Sequence, residues 1–330
     1  MNANARNAAP SFPGFADVWT PVALSSEVTD TPFPVVVAGT RVVLFRDAKG
    51  IVAALLDRCP HRGVALSLGR VNDGCIECPF HGWRLDRFGS VAHVPWNPDA
   101  KVSKLGGVAL PTRERAGQIF LYTGLAPESE PLVSDKLEDP RVRVSGTRVE
   151  WACHWTRAME NMLDWAHLPF VHRKTIGKAL APRSSGRLDI HWEETPYGAT
   201  SHIEVDGKPE AGRLEMRWPN QMNLFIPIPG RSLVLAVACV PRGERSTTML
   251  LFMARSFLKS PLLDPLFNRK NIEIAEEDRA IVESSDPGEV PPAALEQSVR
   301  TDALTLHFRK RYDRELRAAS ERRSLMAAEA

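Results

Sequence analysis

Between residues 35 and 122 apolar and polar positions alternate in short runs. The stretch VVVAGTRVVLFRDAKGIVAALL breaks its β-branched runs at Ala-Gly-Thr and Asp-Ala-Lys-Gly, which predicts strands joined by turns. Residues 118–122 add a closing strand, and 126–131 are polar, proline-bearing and without period. A domain boundary is therefore expected between about 125 and 140. Beyond it the pattern is mixed. Helical spacing runs over about 156–168, strand-like runs cover 214–218 and 233–240, and a hairpin is expected where 241–246 separates LVLAVACV from TTMLLFMARSF. Residues 271–285 and 298–325 carry helical spacing and many charges, and the last residues, MAAEA, read as a frayed end. The expected class is α+β: an all-β domain over 1–125, a linker over 126–140, and over 141–330 a domain of strands with helices packed on them.

Charge narrows the function. Lys and Arg total 42 against 40 Asp and Glu, a formal charge of +2, which argues against a nucleic-acid or acidic-membrane partner. The longest apolar run, 233–240, falls far short of the roughly 18 residues of a spanning helix, so no membrane association is expected. The start MNANARNAAPSF lacks an apolar signal core, and a cytoplasmic location is expected. Five cysteines, with Cys59, Cys75 and Cys78 crowded together, do not make a disulfide framework and point instead to metal.

Two loops share one design, Cys59-Pro60-His61-Arg62-Gly63 and Cys78-Pro79-Phe80-His81-Gly82-Trp83. Each offers a sulfur and an imidazole, with Pro stiffening the chain beside Cys and Gly letting it turn beyond His. Tetrahedral zinc is one reading of two Cys and two His. The spacing C-x-H, sixteen residues, C-x-x-H is the Rieske pattern, in which thiolates take one iron of a [2Fe-2S] cluster and imidazoles the other. Imidazole ligation raises such a cluster to roughly −150 to +300 mV, a potential that accepts electrons from a flavin or ferredoxin. Cys75 reads as a small buried apolar residue. Arg62, Arg84 and Arg87 lie near the imidazole edge, either as attraction for an acidic electron donor or as ordinary surface charge.

A second group lies in ENMLDWAHLPFVH. On a continuous helix Asn161, Asp164 and His167 share a face, and Pro169 is expected to break the helix so that His167 and His172 meet. Two satisfied core histidines at a helix end are the plainer alternative. Two neutral imidazoles and a carboxylate would complete the facial triad of non-haem Fe(II). Asp278 is the candidate carboxylate, because its helical neighbours Ile274, Ala275, Ile281 and Val282 are all apolar; Asp286 and Asp302 remain open, and Glu277 is expected nearer the wet side. Trp218, Met222, Phe225 and Leu235 are candidate pocket residues.

The two loops, the ENMLDWAH…VH segment and the later Glu-Glu-Asp helix, in that order along nearly the whole chain, resemble the catalytic α subunit of Rieske non-haem iron oxygenases. The resemblance is to the short members in particular, such as the dicamba and vanillate O-demethylases. It implies an N-terminal Rieske domain and a C-terminal helix-grip domain enclosing an apolar substrate cavity. It implies one [2Fe-2S] cluster on Cys59, His61, Cys78 and His81, and one mononuclear Fe(II) on His167, His172 and Asp278. It further implies that Asp164 bridges a cluster His81 of one subunit to His167 of the next in a homotrimer, with Asn161 beside the iron. The reaction implied is hydroxylation or oxidative demethylation of a small, mostly apolar, aromatic substrate with O₂. No G-x-G-x-x-G and no plant-type ferredoxin run occurs, so electrons from NAD(P)H are expected through a separate reductase, with or without a ferredoxin. The rival from another class is a Rieske electron carrier or sensor with a ligand-binding domain and no oxygenase chemistry.

Overall fold

The computed structural model describes residues 10–320 and 322, so the expectation for 326–330 lies outside the described residues. The chain forms two compact units, Met1–Pro131 and Leu132–Ala330. Their class is α+β: small antiparallel sheets in the first, one large antiparallel sheet with helices in the second.

The first unit holds β1 (Trp19–Leu24), β2 (Phe33–Val37), β3 (Thr40–Arg46), β4 (Val52–Leu56), β5 (Arg70–Asn72), β6 (Cys75–Glu77), β7 (Arg84–Leu85), β8 (Val91–His93), β9 (Ala109–Leu110), β10 (Thr112–Arg115) and β11 (Gln118–Tyr122). They form sheets ordered β2-β3-β4-β9, β5-β6-β7-β8 and β1-β11-β10. The turn residues foreseen between β3 and β4 act as expected: the Asp47 carboxylate accepts from the Lys49 and Ile51 amides, and Gly50 takes a positive φ. Phe45, Leu55, Leu66, Ile76 and Leu85 form a core that also takes in Cys59 and Cys78.

In the second unit, α1 (Asp135–Glu138) falls within the residues expected as linker and buries Leu137. The sheet strands are β12 (Arg143–Trp151), β13 (Leu188–Thr195), β14 (Gly198–Val205), β15 (Lys208–Arg217), β16 (Gln221–Ile228), β17 (Arg231–Gly243) and β18 (Ser246–Arg255), ordered β12-β18-β17-β16-β15-β14-β13. The longest apolar run sits in the middle of β17, buried on both faces. Each fully buried valine or leucine there contributes about 1.5–3 kcal/mol over an exposed one. The expected hairpin joins β17 to β18 with a tighter turn, since only Glu244 and Arg245 separate the strands.

The helices are α2 (Trp155–Leu163), α3 (Leu168–Val171), α4 (Asp264–Glu283) and α5 (Ala303–Tyr312). Packing of α2 on β17 and of α4 on β12 and β18 sets them on the sheet. α4 begins seven residues earlier than the charge pattern suggested. Pro265 opens it, where a missing amide costs nothing, and Asp264 in its first turn holds Arg143 and Arg255 at 2.5 and 2.6 Å.

Candidate metal centres

The two cysteine loops of the first unit repeat one backbone design. Cys59 N–H donates to the Val64 carbonyl at 2.7 Å and Gly63 N–H to the Cys59 carbonyl at 2.8 Å; Cys78 with Trp83, and Gly82 with Cys78, do the same at 2.8 and 3.0 Å. Both glycines have positive φ, and a Cβ on Gly82 would meet Pro95 Cγ at 3.0 Å. Both sulfurs are buried and both imidazoles exposed. The His61 and His81 ring centroids are 4.6 Å apart, and His61 stacks on Trp83 at 4.6 Å. Burial pushes the Cys59 thiol up to about 11, the adjacent Cys78 adding to it. Such a sulfur becomes a thiolate readily only with a cation bound. Partial desolvation of the ring, with His81 and Arg62 nearby, lowers His61 and favours its neutral, ligating form. The pair of buried sulfurs and the pair of exposed imidazoles therefore fit a centre with one sulfur-bound and one nitrogen-bound iron.

Cys75 is half-buried rather than buried, because β6 is a short strand of a small sheet. Arg84 pairs with Glu77 and Asp73, and Arg87 with Asp47, whereas Arg62 is exposed. Phe80, 58% exposed, lies against His81 with centroids 3.9 Å apart.

In the second unit the expected helix 156–168 is not continuous. α2 ends at Leu163, since Asp164 turns extended and its Oδ1 accepts from Ala166 N–H at 2.7 Å, an Asp preference for turns that outweighs helix spacing. Asn161, Asp164 and His167 therefore do not share one helix face. Pro169 does not break a helix between the histidines; it lies in the first turn of α3, where its lack of an amide is harmless. His167 and His172 flank this single turn as its two caps, and their ring centroids are 5.1 Å apart.

From α4, Asp278 Oδ1 comes within 3.6 Å of His167 Nε2 and 3.2 Å of His172 Nε2. The ligand atoms of these three residues lie within 4.8 Å of one another. Asp278 Oδ1 is buried with no hydrogen-bond partner, an orphaned oxygen beside two imidazole nitrogens, which is what a bound cation resolves. The donor set of two imidazoles and one carboxylate fits ferrous iron. Of the helical neighbours expected to bury Asp278, Ile281 is instead 55% exposed, because α4 turns that edge to solvent. Asp302 serves the Val299 amide at 2.7 Å.

The remaining nitrogens have distinct surroundings. Asp164 Oδ2 lies 3.5 Å from His167 Nδ1, and no hydrogen bond closes between them. Glu277 Oε2 lies 2.7 Å from His172 Nδ1 and accepts from Thr175 Oγ at 2.5 Å. One imidazole is thus held between adjacent carboxylates. Burial pulls His172 down, but Asp278 and Glu277 outweigh it and hold it above its ordinary value. Glu277 is nearer the wet side than Asp278, as the sequence suggests, but its contact with His172 was not foreseen. Its signal was the doublet itself: two carboxylates about 100° apart on a helix can reach both nitrogens of one ring.

Beside the trio lies an apolar cavity walled by Leu214, Met222, Leu235, Leu251 and Ile274, which also takes in Asn161 and Asp164. Met222 and Leu235 line it as expected. Phe225 does not: one residue on from Leu224 along β16, it faces the other side of the sheet and packs under Arg213 at 4.0 Å. Trp218 lies beyond the end of β15, with Arg311 over its ring at 4.6 Å.

Residues 18–106 match the Rieske [2Fe-2S] domain family, and residues 151–226 and 219–318 match the vanillate O-demethylase oxygenase C-terminal domain family. Chlorophyllide a oxygenase of Chlamydomonas reinhardtii is 33% identical over 292 residues, covering 82% of this chain and 43% of that protein. The oxygenase component of dicamba O-demethylase from Stenotrophomonas maltophilia is 31% identical over 160 residues, 48% of this chain and 47% of the relative. The match thus spans about half the length of these curated relatives. The solved structure of NdmA from Pseudomonas putida CBB5 superposes with a TM-score of 0.77 over 92% of both chains at 24% identity, a likeness of fold.

Proposed function

We propose, for a chain that belongs to the Rieske non-haem iron oxygenase family, that it is a terminal oxygenase component. It hydroxylates or oxidatively demethylates a small, mostly apolar organic molecule, using O₂ and electrons supplied from outside. The observation that carries this reading is the His167, His172 and Asp278 trio opening on an apolar cavity, in the same chain as a Rieske domain.

Cys59 and Cys78 hold one iron of the cluster, and His61 and His81 the other. His167, His172 and Asp278 hold a single ferrous ion. Bound together, the cluster supplies electrons and the ferrous ion a site for activating dioxygen. Everything else falls to side chains. His172 Nδ1–H donates a hydrogen bond to Glu277, which would leave the Nε2 lone pair free for the metal. Asp164 stands 3.5 Å from Nδ1 of His167 without closing a hydrogen bond to it and, in a homotrimer, links it to His81 of the next chain. Asn161 lines the same cavity as the three residues that would hold the metal. The apolar wall excludes water and holds the substrate carbon near the metal. A separate reductase, with or without a ferredoxin, docks near the exposed His61 edge of the cluster and passes on electrons from NAD(P)H. Relatives are named for substrates ranging from phenoxybenzoate to tert-butanol, consistent with a shared metal site and differing cavities.

The test is iron and acid-labile sulfide per chain in anaerobically purified protein, with visible and electron paramagnetic resonance spectra. About three irons and two sulfides are expected, falling to about two irons with an unchanged Rieske spectrum in His167→Ala. Two irons in both proteins from iron-replete preparations would leave an electron carrier or sensor instead.

A further inference from the structure

The cavity beside the metal trio holds a polar group that none of the chemistry above uses. α4 lays Asn271, Ile274, Ala275 and Asp278 along the cavity at i, i+3, i+4 and i+7, one continuous stripe of the helix. Asn271 is 3% exposed, and its amide nitrogen is buried with no hydrogen-bond partner. The Asn161 amide nitrogen, on the same cavity, is likewise without one. Buried amides are almost always paired, so a donor left open on a cavity wall is a donor awaiting a ligand. Among the described residues no lysine or arginine lines this cavity. Its charged groups are the carboxylates of Asp164 and Asp278, and a divalent ion held by Asp278 would do no more than offset them. An anionic substrate would be buried there without a counter-charge, which is strongly unfavourable.

We propose that the cavity selects a neutral substrate and that Asn271 is its specificity-determining residue, donating to an oxygen or nitrogen acceptor of the substrate. This rests on the reading of the cavity as the oxygenase substrate site. Asp278 lies seven positions along the helix from Asn271, a rise of about 10 Å. The acceptor therefore lies at the end of the substrate away from the carbon that reacts, with an apolar body between them against Ile274, Met222 and Leu235. The chemical class is a neutral amide, ketone or ether carried on an apolar ring, with the oxidisable group opposite.

Calorimetric titration of the iron-loaded enzyme at pH 7.5 with three matched probes tests this: 4-methylbenzamide, 4-methylbenzoate and p-xylene share a ring and methyl and differ only in the distal group. The benzamide is expected to bind at least about tenfold more tightly than either of the others, as for a site whose donor is left unpaired by the wrong ligand. In Asn271→Leu its advantage over p-xylene should vanish while p-xylene binds as before. Equal or tighter binding of the benzoate overturns the proposal, as does a benzamide preference that survives in Asn271→Leu, or binding of none of the three. Asn271→Ala repeats the comparison without added bulk, and the three-probe comparison in the wild type needs no variant. Iron analysis of the same samples separates the two readings. A benzamide preference without mononuclear iron would end the oxygenase reading but leave the selective cavity, and full iron with no preference would do the reverse.

Discussion

The two candidate metal centres are built in opposite ways. Each cysteine loop is closed within a few residues: the ligand pair, the glycine with positive φ and both backbone hydrogen bonds lie between Cys59 and Val64, or between Cys78 and Trp83. The trio instead joins the two ends of the four-residue α3 to α4, more than a hundred positions away, and its supporting carboxylate Glu277 reaches His172 across 105 residues of sequence. A site closed in local sequence carries its own geometry. A site assembled across the chain borrows its geometry from the packing of α2 and α4 on the sheet.

That contrast predicts independent failure, and the largest effect is the first way to break it. Cys78→Ser should abolish the cluster's colour, sulfide and two irons, while about one iron per chain stays at the trio. Loss of that iron as well, in protein that remains folded by circular dichroism, would show that the centres are not separable.

Glu277→Gln should come next. The amide cannot serve as a charged acceptor for both His172 and Thr175, so Co(II) affinity at the metal-depleted site should fall about 10- to 100-fold, the usual cost of losing a carboxylate behind a metal-bound imidazole. The cobalt d–d spectrum should shift, and the Rieske spectrum should not. Unchanged cobalt affinity would make Glu277 a bystander. Thr175→Val, which leaves the carboxylate in place, should have the smaller effect.

The same contrast explains what could be read from the chain. The strand alternation of the first unit, both loops and the two histidines were legible from local spacing, whereas Asp278 was one of three candidate carboxylates and was singled out by the family resemblance. The interruption at Asp164 was not: helix periodicity carries through 156–168, and only the Asp164 bond to the Ala166 amide reveals the turn. Glu277 and Asn271 were not legible either, since a carboxylate and an amide within a charged helix look the same whether they face water, a histidine or a cavity. Phe225 was misplaced because a strand changes face at every residue and the sequence does not say which face is the cavity. Met222→Ala and Phe225→Ala sharpen this point. The first should cost about 2–3 kcal/mol in denaturant unfolding and weaken p-xylene binding. The second, outside the cavity, should leave that binding unchanged.

The smallest effect concerns how the distant pieces around the trio are held. Glu296 bridges Arg157 of α2 at 2.7 Å and Arg309 of α5 at 2.6 Å, and Glu160 adds a further bond to Arg309. Both arginines are buried, and Arg157, with Arg309 beside it, holds the Glu296 carboxyl below its ordinary range. A depressed carboxyl contributes stability that is complete above its unfolded value, near 4.3, and is lost as the pH falls through the lower folded one. Glu296→Gln should therefore cost about 1 kcal/mol at neutral pH, a modest figure because the carboxylate is partly exposed and water screens it. As the pH falls below about 4.3 the wild type should lose that advantage and the two unfolding curves converge, whereas the Rieske spectrum at neutral pH should be the same in both. A gap that stays constant down to pH 3 would mean that Glu296 acts through packing, and that charge is not what ties α2 to α5.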